Sequence, residues 1–244
     1  MKQLTAILAS LALSSCATKV EQPADYQVDA AKAAIVTGIV ITSGRIPPPV
    51  PVDMSEDPAC VEAHKEGRYD GPVVMNGIGG LSNVFVYIKS GLEGKAFAPP
   101  STPALMDQNG CWFHPRVLGI QTGQVLKVTN SDPVTHNIHP LAHINREWNH
   151  SQGEGDAPLA RKFIKREVMI RVKCNIHGWM RAFLGVVEHP YFSVTGADGR
   201  FEIRNLPPGE YVLGAWHETL GEQERKITVT PSGHLETHFQ FQGQ

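Results

Sequence analysis

Cys174, His177 and Met180 follow one another at three-residue spacing in the stretch Cys174-Asn175-Ile176-His177-Gly178-Trp179-Met180, and His136-Asn137 lies 38 residues before the cysteine. Together they offer a thiolate, two imidazoles and a thioether. Soft sulfur combined with imidazole suits copper, because a trigonal plane of two His and one Cys with a weak axial Met serves Cu(I) and Cu(II) in nearly one geometry. Little rearrangement between the two valences is what fast one-electron exchange requires. Further histidines nearby, His139, His143 and His150, offer a second or auxiliary copper site, although loop histidines are commonly solvated and unliganded. No Ser-His-Asp or paired-carboxylate arrangement is present, and an oxidase or reductase would need many more histidine motifs, so the chain reads as a binding protein and not an enzyme. The group Trp216-His217-Glu218 reads as closing a strand edge by hydrogen bonding, with no catalytic acid or base assigned.

The segments that must position these donors are strands. Residues 35–41, 83–88, 125–129, 168–172, 183–187, 201–203, 211–215 and 226–229 are short, rich in Val, Ile and aromatics, and separated by Gly, Pro, Asn or Asp, which is the pattern of strands broken by turns. Residues 57–65 and 143–149 each have room for a helical turn or two, but no sustained 3.6-residue apolar period runs anywhere. The expected fold class is all-β, a sandwich packed on a sandwich. With 22 Lys and Arg against 24 Asp and Glu, the formal charge is -2, and no basic field exists to hold nucleic acid.

In the middle of the chain, Gly123-Gln124-Val125-Leu126-Lys127-Val128-Thr129-Asn130 leads through Ser131-Asp132-Pro133-Val134-Thr135 to His136-Asn137. This order, a strand ending in Asn and then a short loop to a His-Asn pair, resembles the cupredoxin (blue copper) family. The compact Cys-x-x-His-x-x-Met spacing resembles its amicyanin-like members, and the likeness covers about 85 residues. The resemblance implies His136, Cys174, His177 and Met180 as copper ligands, with Met180 axial, and Asn137 as the residue whose side chain ties the two ligand-bearing loops together. Gly178 stands where such loops often carry Pro.

Toward the C-terminus, Asp198-Gly199 feeds a strand and Pro207-Pro208-Gly209 turns it into the next. This resembles a carboxypeptidase regulatory-like, transthyretin-type β-sandwich. Its opening strands match Thr37-Gly38-Ile39-Val40 and Asn83-Val84-Phe85-Val86-Tyr87-Ile88, which lie upstream of the copper motifs. The expected arrangement is a cupredoxin Greek-key sandwich, residues 102–188, inserted in a regulatory-like sandwich built from residues 31–101 and 189–244. The simpler alternative is two sequential domains after an irregular N-terminal region.

Residues 4–13 form an apolar run behind Lys2, too short to span a bilayer and placed as a secretory signal. The run ends in Leu13-Ser14-Ser15-Cys16, which resembles the lipobox of bacterial lipoproteins. That resemblance implies a signal peptide at 1–15, acylation of Cys16, and residues 16–30 as a polar tether. By resemblance to lipoprotein sorting in Gram-negative bacteria, Ala17 at the next position favours the outer membrane, so the expected location is the periplasm or cell envelope, with the lipid anchor in the outer membrane. In an oxidising compartment the two cysteines left over, Cys60 and Cys111, are expected to pair as a disulfide. The alternative is a Cys₂His₂ metal set with His64 and His114, since each cysteine precedes a histidine by three or four residues.

The functional expectation is a periplasmic copper protein carrying single electrons between redox partner proteins that the sequence does not identify. The alternative is a protein that sequesters or delivers copper. The six methionines do not cluster, which favours the carrier.

Overall fold

The computed structural model describes residues 25–71 and 79–243. The expected signal peptide, Cys16 and most of the tether lie outside the described residues. Strand β1 (Ala34–Ser43) is followed by β2 (Val50–Pro51), helix α1 (Pro58–Ala63), β3 (Tyr69–Asp70) and β4 (Phe85–Ser90). The middle of the chain supplies β5 (Ala104–Gln108), β6 (Phe113–His114), β7 (Val117–Gln121), β8 (Val125–Asn130), β9 (His136–Pro140), β10 (His150–Gln152), β11 (Leu159–Lys162), β12 (Glu167–Lys173) and β13 (Arg181–Val187). Then come β14 (Phe192–Val194), β15 (Arg200–Leu206), β16 (Gly209–His217), β17 (Gly221–Val229) and β18 (His234–Gln242). The all-β class expected from the sequence is the class observed.

The strands pair according to which faces they must bury. In β1, positions 34, 36, 38 and 40 turn inward and their neighbours outward, the two-residue period of a half-buried strand. It lies between β15 and β18, both from the far end of the chain, while β4 lies between β14 and β16, with β17 at the edge. These two sheets enclose a core of Val36, Val40, Val86, Ile88, Leu213, Phe239 and their neighbours. The middle strands form two other sheets, in the orders β10-β9-β12-β13-β7 and β11-β8-β5-β6. Between them lie Met106, Phe113, Leu126, Ile138, Val172 and Leu184.

A third, smaller cluster joins the two assemblies: Phe85 and Tyr87 of β4 pack against Val117 and Val187. Its closeness depends on two glycines. Gly119 and Gly185 face each other across the parallel β7–β13 pair. A Cβ on Gly185 would come 2.5 Å from the Phe85 ring, and one on Gly119 would come 2.4 Å from Phe192.

Residues 50–70 differ from the sequence reading, which groups them with the outer sandwich. Here β2 and β3 pair as a two-stranded ribbon, and Met54 and Cys60 are buried in the core of the middle sheets. The segment therefore lies as a strap on the middle assembly. Residues 143–149, read as room for a helical turn, form no helix. The backbone N–H groups of His143, Ile144 and Asn145 all donate to the Glu167 carboxylate at 2.5 to 3.1 Å, which holds the loop in another shape.

Candidate metal centre

Cys174 follows the last residue of β12, Met180 precedes the first of β13, and the tight turn between them carries His177. The turn is closed by its own backbone: Cys174 N–H donates to the Met180 carbonyl at 3.1 Å, and Met180 N–H donates to the His177 carbonyl at 3.0 Å. His136 opens β9, which pairs with β12, so strand pairing carries the first histidine to the loop that bears the other donors. Asn137 secures the junction. Its side-chain oxygen accepts from Asn175 N–H, its amide donates to Asn149, and its backbone N–H points at the Cys174 sulfur, 3.4 Å away.

Three of the four expected ligands converge. His136 Nδ1 and His177 Nδ1 are 2.9 Å apart, His177 Nδ1 is 3.9 Å from Cys174 Sγ, and the three donor atoms lie within 4.8 Å of one another. First-row metal bonds of about 2 Å to nitrogen and about 2.3 Å to sulfur span separations of this size. The 2.9 and 3.9 Å separations lie within that reach, so the two imidazoles and the sulfur can share one metal ion. His136 and Met180 are 0% exposed, Cys174 2% and His177 3%, so Met180 is buried in the same core and water is shut out.

The electrostatics favour deprotonated sulfur. Burial works against a thiolate at Cys174, but His136 and the backbone N–H groups of His177, Asn137 and Ile176 hold its pKa below the usual thiol value. Burial also works against charge on His136, yet the Asp132 carboxylate and Cys174 outweigh it and push that pKa up to about 9. Without metal, His136 is thus held as an imidazolium beside a thiol that gives up its proton more readily than a free one.

Each ligand imidazole also has its outer nitrogen on a carboxylate. His136 Nε2 lies 2.7 Å from Asp132 Oδ2, and Asp132 in turn accepts from Gly110 and Cys111 N–H at 2.6 and 2.7 Å. His177 Nε2 lies 3.0 Å from Asp57 Oδ2. Burial raises the pKa of both acids, but the histidines and backbone N–H groups prevail and hold them below the usual carboxylate value. Carboxylate–histidine pairs of this kind fix the tautomer and strengthen the ring as a donor. Neither aspartate was read from the sequence as part of the site. Asp132 had a local signal, four residues before His136 in a turn, whereas Asp57 is separated from His177 by 120 residues.

Cys60 and Cys111 form a disulfide with Cα atoms 5.6 Å apart, so the alternative Cys₂His₂ set is not formed. His64 Nε2 instead lies 2.6 Å from the Gly110 carbonyl, and His114 Nε2 is 3.2 Å from that of Asn109. The bridge runs close to the rings of the candidate site, with Cys60 Sγ 3.8 Å from His177 Nε2. His139 is engaged by Glu147 at 2.6 Å, and neither it, His143 nor His150 joins a metal-capable cluster among the described residues. The Trp179 ring lies tilted beside that of His177, centroids 5.1 Å apart, and donates its indole N–H to the Cys111 carbonyl at 3.1 Å.

In the outer sandwich, His217 Nδ1 accepts from Thr219 and Leu220 N–H at 3.2 and 3.3 Å, closing the turn after β16. Glu218 reaches elsewhere. It grips Arg116 with both oxygens at 2.9 and 2.8 Å, Arg116 also binds Asp70 at 3.1 Å, and Asp70 binds Arg181, the residue after Met180.

No family profile and no curated protein matches this chain. Solved structures similar to it include cupredoxins at low identity. A copper-containing nitrite reductase from Thermus scotoductus SA-01 is 22% identical with a TM-score of 0.34, over 41% of this chain and 25% of that one. The chain thus spans a quarter of that enzyme. A purple cupredoxin from Nitrosopumilus maritimus is 21% identical with a TM-score of 0.30, over 34% of this chain and 98% of that one. An oxidised proline-to-glycine mutant of amicyanin is 18% identical with a TM-score of 0.32, over 41% of this chain and 97% of that one.

Proposed function

We propose that this chain is a copper protein that carries single electrons and catalyses no reaction of its own. The observation that carries the reading is the preassembled donor set: His136 Nδ1, Cys174 Sγ and His177 Nδ1 within 4.8 Å of one another, buried, with both outer imidazole nitrogens tied to carboxylates. Copper there would be held by His136, Cys174 and His177, with Met180 of the same turn as a fourth donor, and would supply a one-electron Cu(II)/Cu(I) couple. The protein's own part is to hold the donors still. The turn 174–180 is closed by backbone hydrogen bonds, Asn137 ties it to β9, and two N–H groups point at the thiolate, from Asn137 and His177 at 3.4 and 3.3 Å. A rigid, dry site of this kind costs little reorganisation when charge changes, which suits exchange better than release.

We read residues 102–188 as the copper-binding unit and the sheets formed by both chain ends as a sandwich that carries it. The lipobox-like sequence at Cys16 supports a lipid-anchored protein of the bacterial envelope, working with redox partner proteins and not with nucleic acid.

The test is the spectrum and the exchange behaviour of full-length protein. Loading with Cu(II) is expected to give intense colour from sulfur-to-copper charge transfer, lost in Cys174→Ser, and reversible one-electron cycling with Cu(I) retained. Colour that survives in Cys174→Ser would overturn the ligand assignment. Rapid surrender of Cu(I) to a competing apoprotein, with slow electron self-exchange, would favour copper delivery instead.

A further inference from the structure

We infer that Asp57 is a positioning residue for the metal-binding ring of His177, delivered by a disulfide-stapled strap that forms no part of the ligand-bearing strands. The inference rests on the copper reading above.

The strap has its own fastenings. Val52 N–H donates to the Arg68 carbonyl at 2.9 Å, which closes residues 52–68 into a loop. Cys60 is bonded to Cys111, His64 reaches the Gly110 carbonyl, and the Arg68 guanidinium lies 5.0 Å above the Trp112 ring. All three tie the strap to the turn 110–112, whose Gly110 and Cys111 N–H groups also hold Asp132. One turn therefore anchors both carboxylates that reach the ligand histidines.

Asp57 divides its two oxygens between two tasks. Oδ1 caps α1, accepting from Ala59 N–H at 3.0 Å and Cys60 N–H at 3.4 Å. Oδ2 is left to face His177 Nε2 at 3.0 Å. Serine caps a helix nearly as well as aspartate, so capping alone does not call for a carboxylate. The second oxygen requires one, and its partner is the back of a ring whose front nitrogen points into the donor set. An acceptor on Nε2–H keeps the proton there and leaves the Nδ1 lone pair for metal. Its negative charge also makes the ring a stronger donor, which favours Cu(II) over Cu(I). The strap covers the ring as well, leaving His177 3% exposed.

The experiment compares full-length wild type with Asp57→Ser, which retains the cap and loses the contact, and with Asp57→Asn, which retains the shape and loses the charge. In the metal-free proteins, two-dimensional nitrogen–proton NMR of the imidazoles reads the His177 tautomer. In the copper-loaded proteins, spectroelectrochemistry reads the potential. Wild type is expected to hold His177 with the proton on Nε2, and Asp57→Ser to mix tautomers. Asp57→Ser is also expected to weaken Cu(II) relative to Cu(I) binding about tenfold, an upward shift of about 59 mV for one electron, and Asp57→Asn to move the same way. A Cys60→Ala/Cys111→Ala variant, with the staple cut, should follow Asp57→Ser. If folded Asp57→Ser keeps both the tautomer and the potential of wild type while binding copper, the positioning role is overturned and the copper reading stands. If wild type binds no copper but its tautomer is fixed and Asp57→Ser releases it, the copper reading fails and the positioning role stands.

Discussion

His136 and Cys174 make the metal-free centre a proton store. With its pKa pushed up to about 9, His136 is protonated at neutral pH, and a metal can use Nδ1 only after displacing that proton. Cys174 is held below the usual thiol value and adds less to the count. Copper loading at pH 7 is therefore expected to release at least the proton of His136, with any proton still on Cys174 adding to it. Apparent affinity should rise about tenfold per pH unit up to pH ~9 and level off above it. Titration calorimetry in two buffers of different ionisation enthalpy measures the proton directly, and a count near zero would contradict the imidazolium state. At this scale the sequence was legible wherever spacing is local. Cys174, His177 and Met180 sit on one turn, so their separation in sequence fixes their separation in space. Asp57 was not legible, because nothing in its neighbourhood refers to a ring 120 residues away. Glu218 was half legible: the motif drew attention, but its partners Arg116 and Arg181 come from β7's approach and the start of β13.

Strands β7 and β13 show what the elements contribute beyond carrying ligands. Gly119 and Gly185 leave a flat spot on the outside of the middle sheet where Phe85 and Phe192 of the neighbouring sheet sit. Gly185→Ala is expected to destabilise the protein by about 1–3 kcal/mol, the usual cost of overpacking, since the Phe85 ring is held between sheets and cannot retreat. Urea unfolding would measure this, and the copper spectrum should stay unchanged because Gly185 lies away from the donors. An unchanged unfolding midpoint would show that Phe85 has room to move. The hydrophobic pattern revealed β1, β4, β12, β13 and β16 to within a few residues, since each alternates or runs apolar. It missed β9, whose His136-Asn137-Ile138-His139-Pro140 is mostly polar and is strand because of what it pairs with. It also missed β18, where Thr237, Phe239 and Phe241 do alternate inward but among Glu, His and Gln. The strap was misgrouped for a related reason. Which core it joins is decided by ties distant in sequence, the disulfide, the buried Met54 and Cys60 and the polar contacts of His64, Arg68 and Asp70, and apart from Asp70 its short ribbon strands are exposed.

Across the whole molecule, two buried histidines that bind nothing metallic tie stability to pH. His189 donates from Nε2 to the Ile88 carbonyl at 2.8 Å and accepts Tyr191 N–H at Nδ1. His217 accepts two N–H groups at Nδ1, so each ring is held as a neutral tautomer. Burial pushes both pKa values down from 6.5 to about 4, with Arg166 near His189 and Arg116 near His217 adding to the effect. In the unfolded chain the same rings take up protons near pH 6.5. Between pH 6.5 and about 4 the unfolded state therefore binds more protons than the folded one, and stability falls as pH falls through that window. At 1.36 kcal/mol per pKa unit, each histidine accounts for roughly 2–3 kcal/mol across it. The held-down carboxylates Asp57, Asp132 and Glu167 act on the same side but at lower pH, where they begin to protonate. The stretch above pH ~4.5 thus belongs mainly to the histidines. His136, held up to about 9 in the metal-free protein, works the other way but only above pH ~6.5, where its unfolded counterpart has not yet taken its proton. Urea midpoints of metal-free protein are expected to drop from pH 6 to 4.5, and His189→Gln, which retains a donor toward Ile88 and cannot charge, should flatten that slope by about half. A profile that is level over this range in wild type, or equally steep in His189→Gln, would mean that the rings are reached by protons without unfolding and that the outer sandwich is looser than its packing implies.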